Sequence, residues 1–193
     1  MQLFTTFHDS PIGRLILASD GLNLRLCHRA DLPVNADLPT TLHPTATRLL
    51  TRFSPITDND ASLPIFDATR TQLDEYFNGT RLCFDLPIAF DDTPFRQTVW
   101  RQLLTIPYGI TVSYSRLANN CGQPTAARAV AAACAANPLL IIIPCHRVIA
   151  ADGSPAGYAA GLPAKRLLLA LESALPPHIQ STDLCLSARQ ETR

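Results

Sequence analysis

Three adjacent residues, Cys145, His146 and Arg147, place a thiol, an imidazole and a guanidinium directly after an apolar run ended by Pro144, in the stretch NPLLIIIPCHRVIAADG. A thiol becomes a nucleophile where its surroundings favour the thiolate, and a histidine with an arginine beside it supplies positive charge for that purpose. Neighbouring side chains on an extended backbone point to opposite faces, so a bridging water is expected between Cys145 and His146 unless the chain turns there. The imidazole in turn needs an acceptor that fixes its tautomer. Glu172, flanked by apolar residues in the last helical segment, is the best candidate, since Asp152 sits in a turn. Lys165 falls seven residues earlier on the same helix face and is the sole lysine among sixteen basic residues.

These groups have to be held by neighbouring elements. The run LLIII reads as a buried strand that delivers the Cys145 loop, and Asn137-Pro138 stops the element before it. Upstream, Thr93-Pro94 has the form of a helix start, threonine as cap and proline at the first helical position, leading into FRQTVWRQLLTI. SYSRLANNCG is a second short helix capped by Ser113 and stopped by Gly122, and QPTAARAVAAACAANP a third, opened by Pro124. Two short helices joined by CGQP form a helix-turn-helix pattern, and the alanine-rich face of the second suits close approach of another backbone, a packed helix or a DNA groove. Earlier still, QLFTTFH, GRLILAS and LNLRLCH are short, partly alternating and separated by turn residues, as in a small antiparallel sheet. TATRLLTRF and DATRTQLDEYFNG have helical spacing, the latter closing at Gly79, and FDLPIAFDDTP reads as a linker.

Composition limits the classes that remain. The chain has 193 residues, 47% of them apolar, enough for a real core, and its apolar runs are far shorter than a membrane span. The start, MQLFTTFHDSPIG, lacks the pattern of a signal peptide, so an intracellular protein is expected. Six cysteines, at 27, 83, 121, 134, 145 and 185, are too sparse for a disulfide framework, and reduced thiols are the default. No metal is expected, because His8, Cys27 and His28 match no zinc spacing. Net charge is zero but unevenly spread: residues 1–92 carry net −5 and residues 93–173 net +5, as in a basic working module carried by an acidic partner. The division expected is an N-terminal domain over 1–88, a working domain over 93–175 and a loosely held tail over 176–193.

The combined motifs resemble the O6-alkylguanine-DNA alkyltransferase family. IIIPCHRVI is similar to that family's active-site motif, and TPFRQTVW, IPYGITVSYSRLA, AARAV, NP, GYAAG and K-x-x-LL-x-x-E follow in the family's order and spacing across residues 93–173. The resemblance implies an α+β protein, with a small N-terminal antiparallel-sheet (RNase H-like) domain followed by a mostly helical winged-helix, helix-turn-helix alkyltransferase domain. It implies a monomer without cofactor or membrane partner that acts on double-stranded DNA carrying O6-alkylguanine, with O4-alkylthymine as a possible further substrate. Its setting would be cytoplasmic, at the nucleoid in a bacterium or in the nucleus of a eukaryote. Cys145 would accept the alkyl group once and irreversibly, His146 would act through water as base, Glu172 would orient it, Asn137 would brace the loop, and Lys165 would belong to the site. Tyr114 would give a proton to the departing guanine and help rotate the nucleotide. Arg128 would enter the duplex where the base was, with Ala126, Ala127 and Ala129 as the small face in the groove and Arg147 as a further DNA contact. Tyr158, Ala159, Val148 and Leu140 would line the pocket for the flipped base. The sequence departs from the family pattern at Ala131, where glycine is general, at Ala135, which can be basic, at AADG, which replaces a more glycine-rich turn, and at Ser173 after Glu172. None of these removes a group the chemistry needs.

From the residues alone, a winged-helix DNA-binding regulator with a redox-sensing Cys145 is the alternative, and a cysteine hydrolase using Cys145 and His146 a further one.

Overall fold

The computed structural model describes residues 2–30, 44–52, 56–57 and 63–173, so the expected tail over 176–193 lies outside the described residues. Three strands, β1 (Leu3–His8), β2 (Leu15–Ser19) and β3 (Leu24–Arg29), form antiparallel pairs joined by tight turns at residues 9–14 and 20–23. The expected antiparallel sheet is therefore present. It gains one feature the sequence did not suggest, a two-residue strand β4 (Ile56–Thr57) running parallel to β1, which gives the order β3-β2-β1-β4.

Every residue of β2 is buried, because the sheet is covered on both faces. On one side α1 (Pro44–Arg52) packs through Ala46 and Leu50 onto Leu3, Ile16, Ala18 and Leu26. On the other, Leu15, Leu17, Leu24 and Cys27 join Ile65, Phe66, Leu73 and Tyr76 of α2 (Pro64–Phe77). That second cluster continues into the C-terminal half through Val99, Trp100, Leu103, Leu117, Val130, Leu139 and Leu168, so the two halves share one apolar core.

FDLPIAFDDTP, read as a linker, is a pinned connection: Leu24 N–H donates to Pro87 O at 2.8 Å and Ala89 N–H to Leu24 O at 3.1 Å, which extends the β3 edge by one bridge. Asp92 then receives Arg48 at 2.7 Å and Arg96 at 3.1 Å.

The C-terminal half begins as its capping residues dictate. The Thr93 side chain accepts from Arg96 N–H at the start of α3 (Pro94–Leu103), and Ser113 accepts from Arg116 N–H at the start of α4 (Tyr114–Asn120). Gly122, at φ +70°, supplies the left-handed turn after α4. The next helix, α5 (Ala127–Ala135), begins three residues later than Pro124, after a turn. Trp100 closes the three-helix cluster by donating its indole N–H to Ala133 O at 2.9 Å. Two short strands, β5 (Val112–Ser113) and β6 (Val148–Ile149), pair in parallel, and α6 (Leu162–Ser173) ends the described chain.

One expected element is corrected. LLIII is not a strand: after a single bridge between Leu139 and Cys27 the chain makes a turn, with Ile141 at φ +72°. A β-branched residue in that region is strained, and the turn persists because its surroundings hold it. Ile143 N–H donates to Leu139 O and Cys145 N–H to Ile143 O, both at 2.8 Å.

Candidate active site

Asn137 holds this turn from within. Fully buried, it donates Nδ2 to Ile143 O at 2.8 Å and to Cys145 Sγ at 3.1 Å, while its Oδ1 accepts from Leu139 N–H at 2.9 Å. One side chain therefore fixes both the loop and the sulfur. Residues 145–147 follow as a single 3-10 turn, and it is this turn, not an extended chain, that sends three consecutive side chains in different directions.

His146 is fully buried and its Nε2 lies 2.9 Å from Glu172 Oε1. A carboxylate only accepts, so Nε2 carries the proton and Nδ1 presents a lone pair, without a hydrogen-bond partner among the described residues. Burial lowers the imidazole's basicity more than Glu172 raises it, and His146 rests neutral. Glu172, although 1% exposed, is held well below the usual carboxylate range. Burial alone would raise it, but the His146 hydrogen bond and the Arg147 guanidinium outweigh that. Gly109 N–H donates to Oε2 at 3.0 Å and Tyr76 donates its hydroxyl to Oε1 at 2.8 Å.

Arg147 is not on a DNA-facing surface. It is 7% exposed, its Nε and Nη2 lie 2.9 and 2.8 Å from Glu172 oxygens, and its Nη1 donates to Ile106 O at 2.6 Å. The expected DNA contact is corrected, because a guanidinium this buried and held on a carboxylate and a carbonyl is not presented to a phosphate. The expected positive setting for the thiol changes too. With Arg147 neutralised and His146 uncharged, burial pushes the Cys145 thiol up to about 11, opposed by the Asn137 hydrogen bond and the Lys165 charge. At rest this cysteine is a thiol.

Lys165, also fully buried, donates Nζ to Val148 O at 2.5 Å and Ala156 O at 2.6 Å. It thereby ties together β6 and the loop that leads to α6. Its burial lowers its pKa. Tyr158 and Ala159 are half-buried on that loop, with the Tyr158 ring edge-on to His146 at 6.3 Å. Val148 and Leu140 are fully buried. Leu140 N–H donates to Cys27 O at 2.8 Å, which places it at the seam with the N-terminal sheet. Arg29, from β3, reaches the same region and donates to Ala160 O at 3.0 Å.

Tyr114 is half-buried at the first position of α4, and burial chiefly, with Cys134 and Cys145 close by, pushes its hydroxyl up to about 12, so it stays a donor. On α5, Val130, Ala133 and Cys134 pack inward, while Arg128 and Ala129 are exposed and Ala126 and Ala127 half-exposed. The small-residue helix thus packs on one side and leaves a bare outer face on the other.

A cavity of about 510 Å³ opens elsewhere, between α1, the connection and α3, lined by residues including Arg25, Arg48, Asp92, Trp100 and Pro138. None of the expected site residues lines it. Cys145 itself is 3% exposed. Among the other cysteines Cys27, Cys121 and Cys134 are free thiols.

Three contributors to the site escaped the sequence: Tyr76, Gly109 and the inward role of Arg147. The only signal for Tyr76 was its place three residues after Leu73 on the apolar face of α2, where a buried phenol needs a partner.

Comparison with known proteins agrees with this geometry. Residues 94–174 match the family model described as 6-O-methylguanine DNA methyltransferase, DNA binding domain, and residues 3–90 the model of its ribonuclease-like domain. The chain is similar to the methylated-DNA--protein-cysteine methyltransferase of Mycobacterium tuberculosis, 42% identical over 172 residues, or 88% of this chain and 92% of the relative. It also resembles the protein of that name from Haemophilus influenzae, 36% identical over 88% of this chain and 86% of the relative. Among solved structures, that of Mycobacterium tuberculosis OGT in complex with DNA superposes with a TM-score of 0.72 at 38% identity, covering 93% of this chain and 98% of that one.

Proposed function

The chain belongs to the 6-O-methylguanine DNA methyltransferase family, and from that premise we propose that Cys145 accepts the alkyl group of O6-alkylguanine from double-stranded DNA in one irreversible displacement. The observation that carries this assignment is the hold on the sulfur: Asn137 fixes Cys145 Sγ, and the adjacent imidazole, pinned through Nε2 to Glu172, keeps Nδ1 free to accept a proton.

Because the thiol is neutral at rest, its deprotonation belongs to the reaction itself. The thiol proton passes to His146 Nδ1, directly or over one water, as a sulfur–carbon bond forms and the carbon–oxygen bond to the purine breaks. The guanine receives a proton from Tyr114, and imidazolium and tyrosinate return to neutrality by exchange with solvent. The net exchange is one proton for one alkyl group. A thioether offers no good leaving group, so each molecule acts once.

A base in the stack cannot reach a buried sulfur, so the nucleotide has to leave the duplex, at a cost of a few kcal/mol. The exposed Arg128 on the small outer face of α5 suits the vacated position, where a guanidinium can hydrogen-bond the orphaned partner. Lys165 acts at one remove, by holding the Val148 and Ala156 carbonyls that frame the pocket. A redox-sensor reading is not favoured, since sensor cysteines are exposed and acidic and Cys145 is neither.

The test is transfer of label. A duplex carrying methyl-labelled O6-methylguanine should leave its label on the peptide containing Cys145, and Cys145→Ser should bind the lesion without taking the label. Label found on another residue, or on none, would refute the assignment.

A further inference from the structure

We propose that Tyr76, on α2 in the first half of the chain, is a positioning residue for alkyl transfer, because its hydroxyl donates to the same Glu172 oxygen that fixes His146. The inference rests on the reading of Cys145 as acceptor.

Tyr76 is fully buried, 2.8 Å from Glu172 Oε1, and His146 Nε2 lies 2.9 Å from that same atom. The tyrosine ring is fixed independently, edge-on to Phe77 at 5.4 Å and to Tyr108 at 5.9 Å, and tilted against Phe84 at 5.4 Å. A buried phenol has to find an acceptor, and many do so on a backbone carbonyl. This one takes a carboxylate oxygen shared with the base.

The groups facing His146 and Glu172 come from several elements. The 3-10 turn supplies Arg147 and Cys145, and Gly109 N–H and Tyr108 come from the segment after α3. Tyr108 donates its hydroxyl to Leu171 O at 3.3 Å and lies with its ring 5.7 Å from the Arg147 guanidinium carbon. The loop before α6 supplies Tyr158, and α6 itself supplies Lys165. Among these, Tyr76 is the donor that crosses from the N-terminal half.

Each donor on Oε1 draws negative charge away from the imidazole. With the phenol hydroxyl deleted, the carboxylate pulls harder on Nε2–H and stabilises the imidazolium. Neutral imidazole is the form that takes the thiol proton, so its working range should then begin at higher pH.

Tyr76→Phe in the full chain keeps the ring and removes only the hydroxyl. Alkylation of Cys145 by free O6-benzylguanine, followed by intact mass across pH, should show the acid limb displaced upward by on the order of half a unit, about threefold in rate below it, with the high-pH rate little changed. The His146 imidazole resonances of unreacted protein should titrate higher by the same amount. A lower melting temperature with both profiles unmoved would overturn the proposal and leave Tyr76 as packing. Failure of the unsubstituted protein to alkylate at Cys145 would instead defeat the functional reading, and the imidazole titration would still decide whether Tyr76 tunes His146.

Discussion

At Asn137 one primary amide holds both the turn and the sulfur, so Asn137→Ala should leave Leu139 N–H buried without its partner and strip Ile143 O of one of its two donors. The expected loss is about 2–3 kcal/mol in denaturant unfolding, together with slower transfer, because the thiol also loses a donor that favours its ionised form. The buried pair His146 and Glu172 sets the response to acid. Both bind protons less readily in the folded chain than at their ordinary values of 6.5 and 4.5, so the unfolded chain takes up more protons and stability falls with falling pH. Unfolding followed across pH should show loss beginning below about 6.5, as His146 becomes charged in the unfolded state, and a steeper loss below about 4.5, as Glu172 is protonated there. Glu172→Gln should remove the second phase and lower stability at neutral pH, since Arg147 is left buried without its counter-charge. At this scale the sequence was informative where adjacency and chemistry coincide, as for Cys145, His146, Glu172 and Asn137. It misled at Arg147, because adjacency reports that a charge exists and says nothing of which way a 3-10 turn sends it.

Helix α5 presents its alanine face and Arg128 outward while Val130, Ala133 and Cys134 secure it against α3 and α4. Arg128→Ala should therefore slow repair of duplex lesions much more than reaction with free O6-benzylguanine, which needs no extrusion. Rates measured side by side on the two substrates check this, and equal losses would remove Arg128 from that role. The helices themselves were legible because their caps are local: Thr93-Pro94, Ser113 and Gly122 each act within one turn of chain. The turn at Ile141 was not, since five apolar residues read alike whether they form a strand or wrap a buried asparagine. What decides between the two is that, among the described residues, no strand lies beside it beyond the single bridge to Cys27, a fact of tertiary structure.

Over the whole molecule, the apolar core that runs from Leu15 to Leu168 and the contacts of Tyr76 and Arg29 with the second half make the N-terminal part a support for the site. No local pattern could announce that, because its partners are separated by 96 and 131 residues. The charge contrast between halves was visible in the sequence, but two of the seven cations in the basic half, Arg147 and Lys165, prove to be spent inside the protein. In the proposed reaction one sulfur, a thiol until it reacts, takes one alkyl group and keeps it. Protein mixed with an excess of O6-methylguanine duplex should consume lesions in a single burst equal to the protein present, with every molecule methylated at Cys145 and no further loss on longer incubation. Continued turnover beyond that equivalence, or a full burst that leaves Cys145 unmodified, would contradict it.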